Sequence, residues 1–240
     1  MPRPLITSGW IKVCGIRDVA VAQAAVTAGA SAVGVNFFAK SPRSVTSEQA
    51  SQIVAALSAS LRLCDSALKA EPIALFVNHS LEEIEVIAEQ AGLDAIQLHG
   101  DETPQLIAEI QQRHPDWEIL KAFRISDSMQ PVAEFIAECD RLTVRLAGCL
   151  MDARVDGSFG GTGAVAPWEL IAREYDRANW PPLILAGGLT PENVAAAIKT
   201  VRPMGVDTAS GVESSPGVKD TKLIVRFVAE AQRAFTTGSI

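Results

Sequence analysis

The chain has 240 residues, a formal charge of −7 and 48% apolar residues, enough for one sizeable core. No basic run interrupts the acidic balance, so the sequence gives nucleic acid no electrostatic footprint, and no apolar run reaches the length of a bilayer. The opening MPRPLITSGW lacks the apolar core of a signal peptide, and Cys14, Cys64, Cys139 and Cys149 lack metal-ligand spacing, so a cytoplasmic, reducing setting is expected.

Strand-like runs then alternate with amphipathic helical ones. WIKVCGI (10–16) reads as a strand and VAVAQAAVTAGA (19–30) as a helix closing at Gly29. SAVGVNFF (31–38) precedes the helix 46–60, with Thr46 as candidate N-cap. PIALFVN (72–78) precedes the helix 80–92, where Ser80 and Glu83 have capping-box spacing. DAIQLHG (94–100) precedes the helix 103–113, with Pro104 in its first turn. The rhythm continues with strands at 117–125, 147–153, 182–188 and 204–211, followed by helices at 131–139, 166–174, 190–201 and 220–235. Several strands lack period-two alternation, as parallel strands covered on both faces should. Eight strand–helix pairs at this length predict an α/β fold, a (β/α)8 TIM barrel, with residues 1–240 as a single domain. A doubly wound open sheet is the second architecture; it would have fewer strands, and the first βα turn has no GxGxxG. The stretch 58–71 is long and polar for an αβ connection and reads as a surface excursion.

In such a barrel the active site lies at the C-terminal ends of the strands. The polar residues expected there are Cys14, with Lys12 on the same face, then His99, Asp152 and Asp207; Arg43 follows the second strand. The seventh strand ends in LAGGLTPENV and the eighth leads into TASGVESSPG. Gly187, Gly188, Ser210 and Gly211 let backbone N–H groups approach an anion, so two Gly-rich turns after the last two strands point to a small phosphorylated substrate. Cys64, Cys139 and Cys149 read as core.

KVCGI (12–16), KSPR (40–43), FVN (76–78), DAIQLHGDE (94–102), MDARVDGSFGGTG (151–163), LAGGLTPENV (185–194) and VDTASGVESSPGVKD (206–220) occur in order over nearly the whole chain. In these motifs the sequence resembles the phosphoribosylanthranilate isomerases. The resemblance implies a step of tryptophan biosynthesis: N-(5′-phosphoribosyl)anthranilate rearranges to 1-(2-carboxyphenylamino)-1-deoxyribulose 5-phosphate, with neither metal nor organic cofactor. It implies Cys14 as general base and Asp152 as general acid. The thiol needs help from Lys12 or the bound substrate to ionise, and the carboxyl needs a raised pKa to hold its proton. Arg43 suits the anthranilate carboxylate by bidentate pairing, Asp207 the substrate hydroxyls or the phosphate loop, and His99 the shape of the pocket. The family contains monomers and homodimers, and either state is open.

The sequence departs from the family pattern at Arg17 and Asp18, at Val21, at Asn36 in an otherwise apolar strand, and in the length of 58–71. Three other readings compete. A histidine-pathway isomerase barrel would end its first strand in an acid and bind two phosphates. An indole-glycerol-phosphate synthase would rely on lysines, for which Lys12 and Lys121 are the hints. A phosphate-binding barrel without catalysis would need neither Cys14 nor Asp152.

Overall fold

The computed structural model describes residues 4–63, 70–153 and 165–237. Part of the 58–71 excursion, Cys64 and the GSFGGTG segment (157–163), read as glycines suited to a lid, lie outside the described residues.

Eight strands form the barrel: β1 (Trp10–Cys14), β2 (Ala32–Asn36), β3 (Glu71–Phe76), β4 (Ala95–Leu98), β5 (Glu118–Ile125), β6 (Gly148–Ala153), β7 (Leu183–Leu185) and β8 (Gly205–Thr208). Each pairs in parallel with the next, and β8 pairs with β1, so the sheet is closed and the open-sheet alternative is excluded. Lys12 lies opposite Asp207 across β1 and β8, and Cys14 lies opposite Gly34 across β1 and β2. The β1 and β2 side chains are buried on both faces, which is why these runs do not alternate in polarity.

The helices are α1 (Val19–Ala28), α2 (Ser47–Leu63), α3 (Leu81–Ala91), α4 (Pro104–Arg113), α5 (Gln130–Arg141), α6 (Trp168–Glu174), α7 (Val194–Val201) and α8 (Thr221–Thr237). Their ends follow local chemistry. Asp18, one of the departures from the family pattern, caps α1 by accepting from Val21 N–H, and Gly29 closes that helix in the left-handed region. Ser80 and Glu83 form the expected capping box, and Thr103 caps α4 ahead of Pro104. Thr46 and Gln49 exchange the same pair of bonds ahead of α2. On α8, Ile224, Phe227, Val228 and Ala231 recur at helical spacing and are fully buried.

Several boundaries differ from expectation; helix α2 runs on to Leu63, so the first residues of the expected 58–71 excursion are helical. Helix α7 starts at Val194 rather than 190, because Asn193 turns back to accept from Thr190 N–H and to donate to the Gly188 carbonyl. Strand β8 ends at Thr208 rather than 211, and the Gly-rich turn beyond it is ordered: a 3-10 turn (Ser210–Val212) leads into a small antiparallel hairpin, β9 (Glu213–Ser215) and β10 (Val218–Lys219).

Inside the barrel, Trp10, Ala32, Ile73, Ala95, Leu150 and Ile184 belong to an apolar plug toward the N-terminal ends of the strands. The outward faces form the main core with the helices. Polar inward residues gather above the plug, at the strands' C-terminal ends. Among the described residues no helix is long and apolar enough to cross a membrane.

Candidate active site

Lys12 and Cys14 are two residues apart on β1 and therefore face the same side. Lys12 is fully buried, and its Nζ donates to Asp207 Oδ1 at 3.0 Å. Burial alone would depress the ammonium; the negative charge of Asp207 and the neighbouring Cys14 outweigh it and hold Lys12 above its ordinary range. Cys14 is buried beside Leu75 and Val77, with Phe38 and Ala209 packed against them. The thiol fits because its register partner is Gly34, where a Cβ would stand 2.8 Å from Sγ. Burial pushes this thiol above the ordinary cysteine value, Lys12 opposes that rise, and Asp207 adds to it. The help from Lys12 is present but insufficient in the free protein, because burial outweighs it and the charge of Asp207 adds to the rise.

Across the mouth, His99 and Asp152 meet. His99 Nε2 lies 3.1 Å from Asp152 Oδ2, and His99 Nδ1 lies 2.8 Å from Gln97 Nε2. The other Asp152 oxygen, Oδ1, accepts from Ala153 N–H at 2.8 Å. Gly187 packs so closely on this carboxyl that a Cβ there would stand 2.9 Å from Oδ1.

The two Gly-rich segments also come together. Gly187 and Gly188 have φ of +81° and +65°, a conformation that L side chains disfavour. Their N–H groups meet no acceptor among the described residues. Gly211 lies against the preceding segment so tightly that a Cβ would come 1.8 Å from the Leu189 carbonyl oxygen, and Thr208 Oγ1 donates to that same oxygen. Ser210 and Gly211 open the 3-10 turn beside Leu189. The four residues expected at an anion site are therefore carried on two segments in direct contact.

Arg43 is held at the rim by its own loop. Asn36, the polar departure on β2, accepts from Phe38 N–H and donates to Ser41 Oγ, which in turn accepts from Arg43 N–H. The bidentate pairing expected with a ligand carboxylate is made here with Glu213: Nε and Nη2 reach its two oxygens at 2.8 and 2.7 Å. Lys219 Nζ also donates to Glu213, at 2.8 Å, and to the Ala209 carbonyl. Burial alone would raise the Glu213 carboxyl; the hydrogen bonds from Arg43 and Lys219 outweigh it and hold it below the ordinary carboxylate range. Arg43 Nη1 is the guanidinium nitrogen without a partner among the described residues.

Gln97, Glu213 and Lys219 belong to the site and were not singled out by strand-end position. Gln97 could have been found by counting two residues back from His99 on one strand face; the Arg43–Glu213 contact spans 170 residues and has no local signal. Lys121 faces the other way. Its Nζ lies 5.9 Å from the ring centroid of Phe135 on α5 and donates to Glu102 and to the carbonyls of Leu98, Gly100 and Ala122, outside the barrel mouth. That placement removes one of the two lysines on which the synthase reading depended. Among the described residues no cluster of three or more His, Cys, Asp or Glu side chains could hold a metal ion.

Residues 11–230 match the family model for N-(5′-phosphoribosyl)anthranilate (PRA) isomerase. The chain is 38% identical over 226 residues to the N-(5′-phosphoribosyl)anthranilate isomerase of Trichlorobacter lovleyi, covering 93% of this chain and 98% of the relative. It is similar to the phosphoribosyl anthranilate isomerase crystal structure from Thermotoga maritima, with a TM-score of 0.76 and 32% identity over 93% of this chain and 98% of that one. A crystal structure of a phosphoribosyl anthranilate isomerase in complex with reduced 1-(o-carboxyphenylamino)-1-deoxyribulose 5-phosphate aligns with a TM-score of 0.74 and 31% identity, over 93% and 98% of the two chains.

Proposed function

The chain belongs to the phosphoribosylanthranilate isomerase family and is an isomerase of tryptophan biosynthesis, and from that premise we propose how its own residues carry the rearrangement: Asp152 is the general acid and Cys14 the general base. Asp152 protonates the furanose ring oxygen, the C1′–O bond breaks, and the anthranilate nitrogen takes up the resulting cation as a protonated Schiff base. Cys14 then removes the proton from C2′ to leave an enolamine. The enolamine becomes the ketone as C1′ takes up a proton and the C2′ hydroxyl gives one up, so two protons are gained and two lost and the substrate is isomerised with no net gain or loss of atoms.

The observation that carries this reading is the placement of Cys14 and Asp152. Both are buried at the C-terminal ends of their strands, β1 and β6, facing one barrel mouth whose rim carries the Gly187–Gly188 segment. A buried thiol with a raised pKa is a poor base before substrate arrives. The cationic Schiff base formed by ring opening supplies the missing positive charge, so the thiolate becomes accessible at the step that uses it.

The same reading gives the neighbours their roles. N–H groups of Gly187, Gly188, Ser210 and Gly211 hold the phosphate. Arg43, fixed by Glu213, offers Nη1 to the anthranilate carboxylate, with Lys219 adding positive charge behind it. Asp207 keeps Lys12 in place and accepts from a substrate hydroxyl. His99 braces Asp152.

The test is Cys14→Ser, which keeps the shape but replaces the thiol with a far weaker acid. Turnover should fall by at least about a hundredfold, the lower end of a general base's contribution, while the melting temperature stays close to wild type. Near-normal turnover in the folded variant would overturn the assignment.

A further inference from the structure

Gln97 is fully buried inside the barrel, and its register partners, Leu75 on β3 and Leu120 on β5, are apolar. Among the described residues its amide makes one hydrogen bond, from Nε2 to His99 Nδ1 at 2.8 Å, and its Oε1 is buried without a partner. A buried amide oxygen left unpaired costs stability, and a methionine of similar size would avoid that cost. The bond to His99 is what the amide supplies in return.

That bond has a chemical consequence. With its nitrogen toward His99 the carboxamide donates and does not accept, so in this orientation Nδ1 is the acceptor. A neutral imidazole with Nδ1 unprotonated carries its proton on Nε2, and Nε2 faces Asp152 Oδ2. We propose that Gln97 is a positioning residue that locks His99 in the Nε2–H tautomer, so that His99 donates to Asp152 Oδ2 and the transferable proton of the acid resides on Oδ1. The catalytic half of this inference rests on the reading of Asp152 as the general acid.

The geometry around Asp152 accommodates the assignment. Oδ1 accepts from Ala153 N–H with one lone pair and lies alongside Gly187, on the phosphate-loop side. The opposite tautomer would aim the Nε2 lone pair at Oδ2. His99 would then take the acid's hydrogen bond for itself and draw the proton away from the substrate's ring oxygen. Asp207 and, behind it, Lys12 are the other charged groups that act on this corner of the site.

The prediction can be read without substrate. The chain contains three histidines, His79, His99 and His114, so a two-bond proton–nitrogen spectrum of histidine-labelled protein resolves three rings, with His99 assigned by its loss in His99→Asn. Wild type should show His99 as the neutral Nε2–H form. In Gln97→Glu, a carboxylate faces Nδ1 and should protonate it, and turnover should fall roughly tenfold or more, a fraction of a full general-acid contribution, with KM within about twofold. Gln97→Met should give a mixture of tautomers and an intermediate rate. An Nδ1–H form in wild type would overturn the lock whatever Asp152 does, and it remains decisive if the variants fail to fold. The expected tautomers with unchanged turnover in Gln97→Glu would overturn the link to catalysis. Full activity in Asp152→Asn beside an intact Nε2–H signal would instead locate the failure in the acid assignment.

Discussion

Gly34→Ala probes the space that Cys14 occupies. The new Cβ would stand 2.8 Å from Cys14 Sγ and 3.0 Å from Lys12 Cε, and 3.2 Å from the Cys14 Cα. The first distance is about 0.6 Å short of the 3.4 Å at which ordinary contact begins. The backbone carbon is held by the β1–β2 ladder, so the thiol is the group that moves. Overpacking of this kind costs about 1–3 kcal/mol of stability, which a barrel of this size withstands. A displacement approaching 1 Å at a reacting group can cost on the order of a hundredfold in rate, so turnover should fall by roughly ten- to a hundredfold. KM should change far less, because the proposed phosphate and carboxylate contacts lie elsewhere. Steady-state kinetics beside a thermal melt read both quantities. A folded Gly34→Ala enzyme with wild-type turnover would refute the claim that the reaction depends on where Cys14 sits.

Two further outcomes follow from the charges at the mouth. Glu213 is held below the ordinary carboxylate range, so the stability it adds is fully present above its unfolded value of about 4.3 and is lost as pH falls through the lower folded value. Glu213→Gln, which leaves buried Arg43 and Lys219 without their counter-charge, should cost about 3–5 kcal/mol near neutral pH. Denaturant melts should show that gap narrowing below about pH 4; a gap independent of pH would contradict the pairing. Cys14 is raised by burial, so its alkylation in the free protein should still be accelerating beyond about pH 8.5, the value of a free thiol. A plateau below pH 8 would show a thiolate already formed before substrate binds.

Much of the fold was legible because its signals are local. The capping box at Ser80 and Glu83, the proline opening α4 and the glycine closing α1 each act within a few residues. The strand-end rule also located Cys14, His99, Asp152 and Asp207, since in a parallel barrel the chain must turn where those strands stop. The rule does not say which way a side chain faces. Lys121 sits on a strand as Lys12 does, but one points to α5 and the other into the barrel, and that parity is set by the register of β5. The segment after the eighth strand read only as a Gly-rich turn, whereas Glu213 ties a hairpin there to Arg43 from the far end of the chain. Asn36 looked like a departure from an apolar strand, and its purpose becomes visible only once it is seen to hold the loop that carries Arg43.

The central claim is that Asp152, and not its neighbour Asp207, delivers the proton that opens the ring. Both are buried carboxylates at strand ends, but Asp207 is bonded to Lys12 whereas Asp152 meets His99 and the Gly187 segment. Steady-state kinetics of Asp152→Asn and Asp207→Asn, followed by the loss of phosphoribosylanthranilate fluorescence, separate them directly. Asp152→Asn should lose turnover with binding largely kept, as expected when the lost interaction acts in the transition state, and Asp207→Asn should mainly raise KM. Abolished turnover in Asp207→Asn together with near-normal turnover in Asp152→Asn would contradict the account.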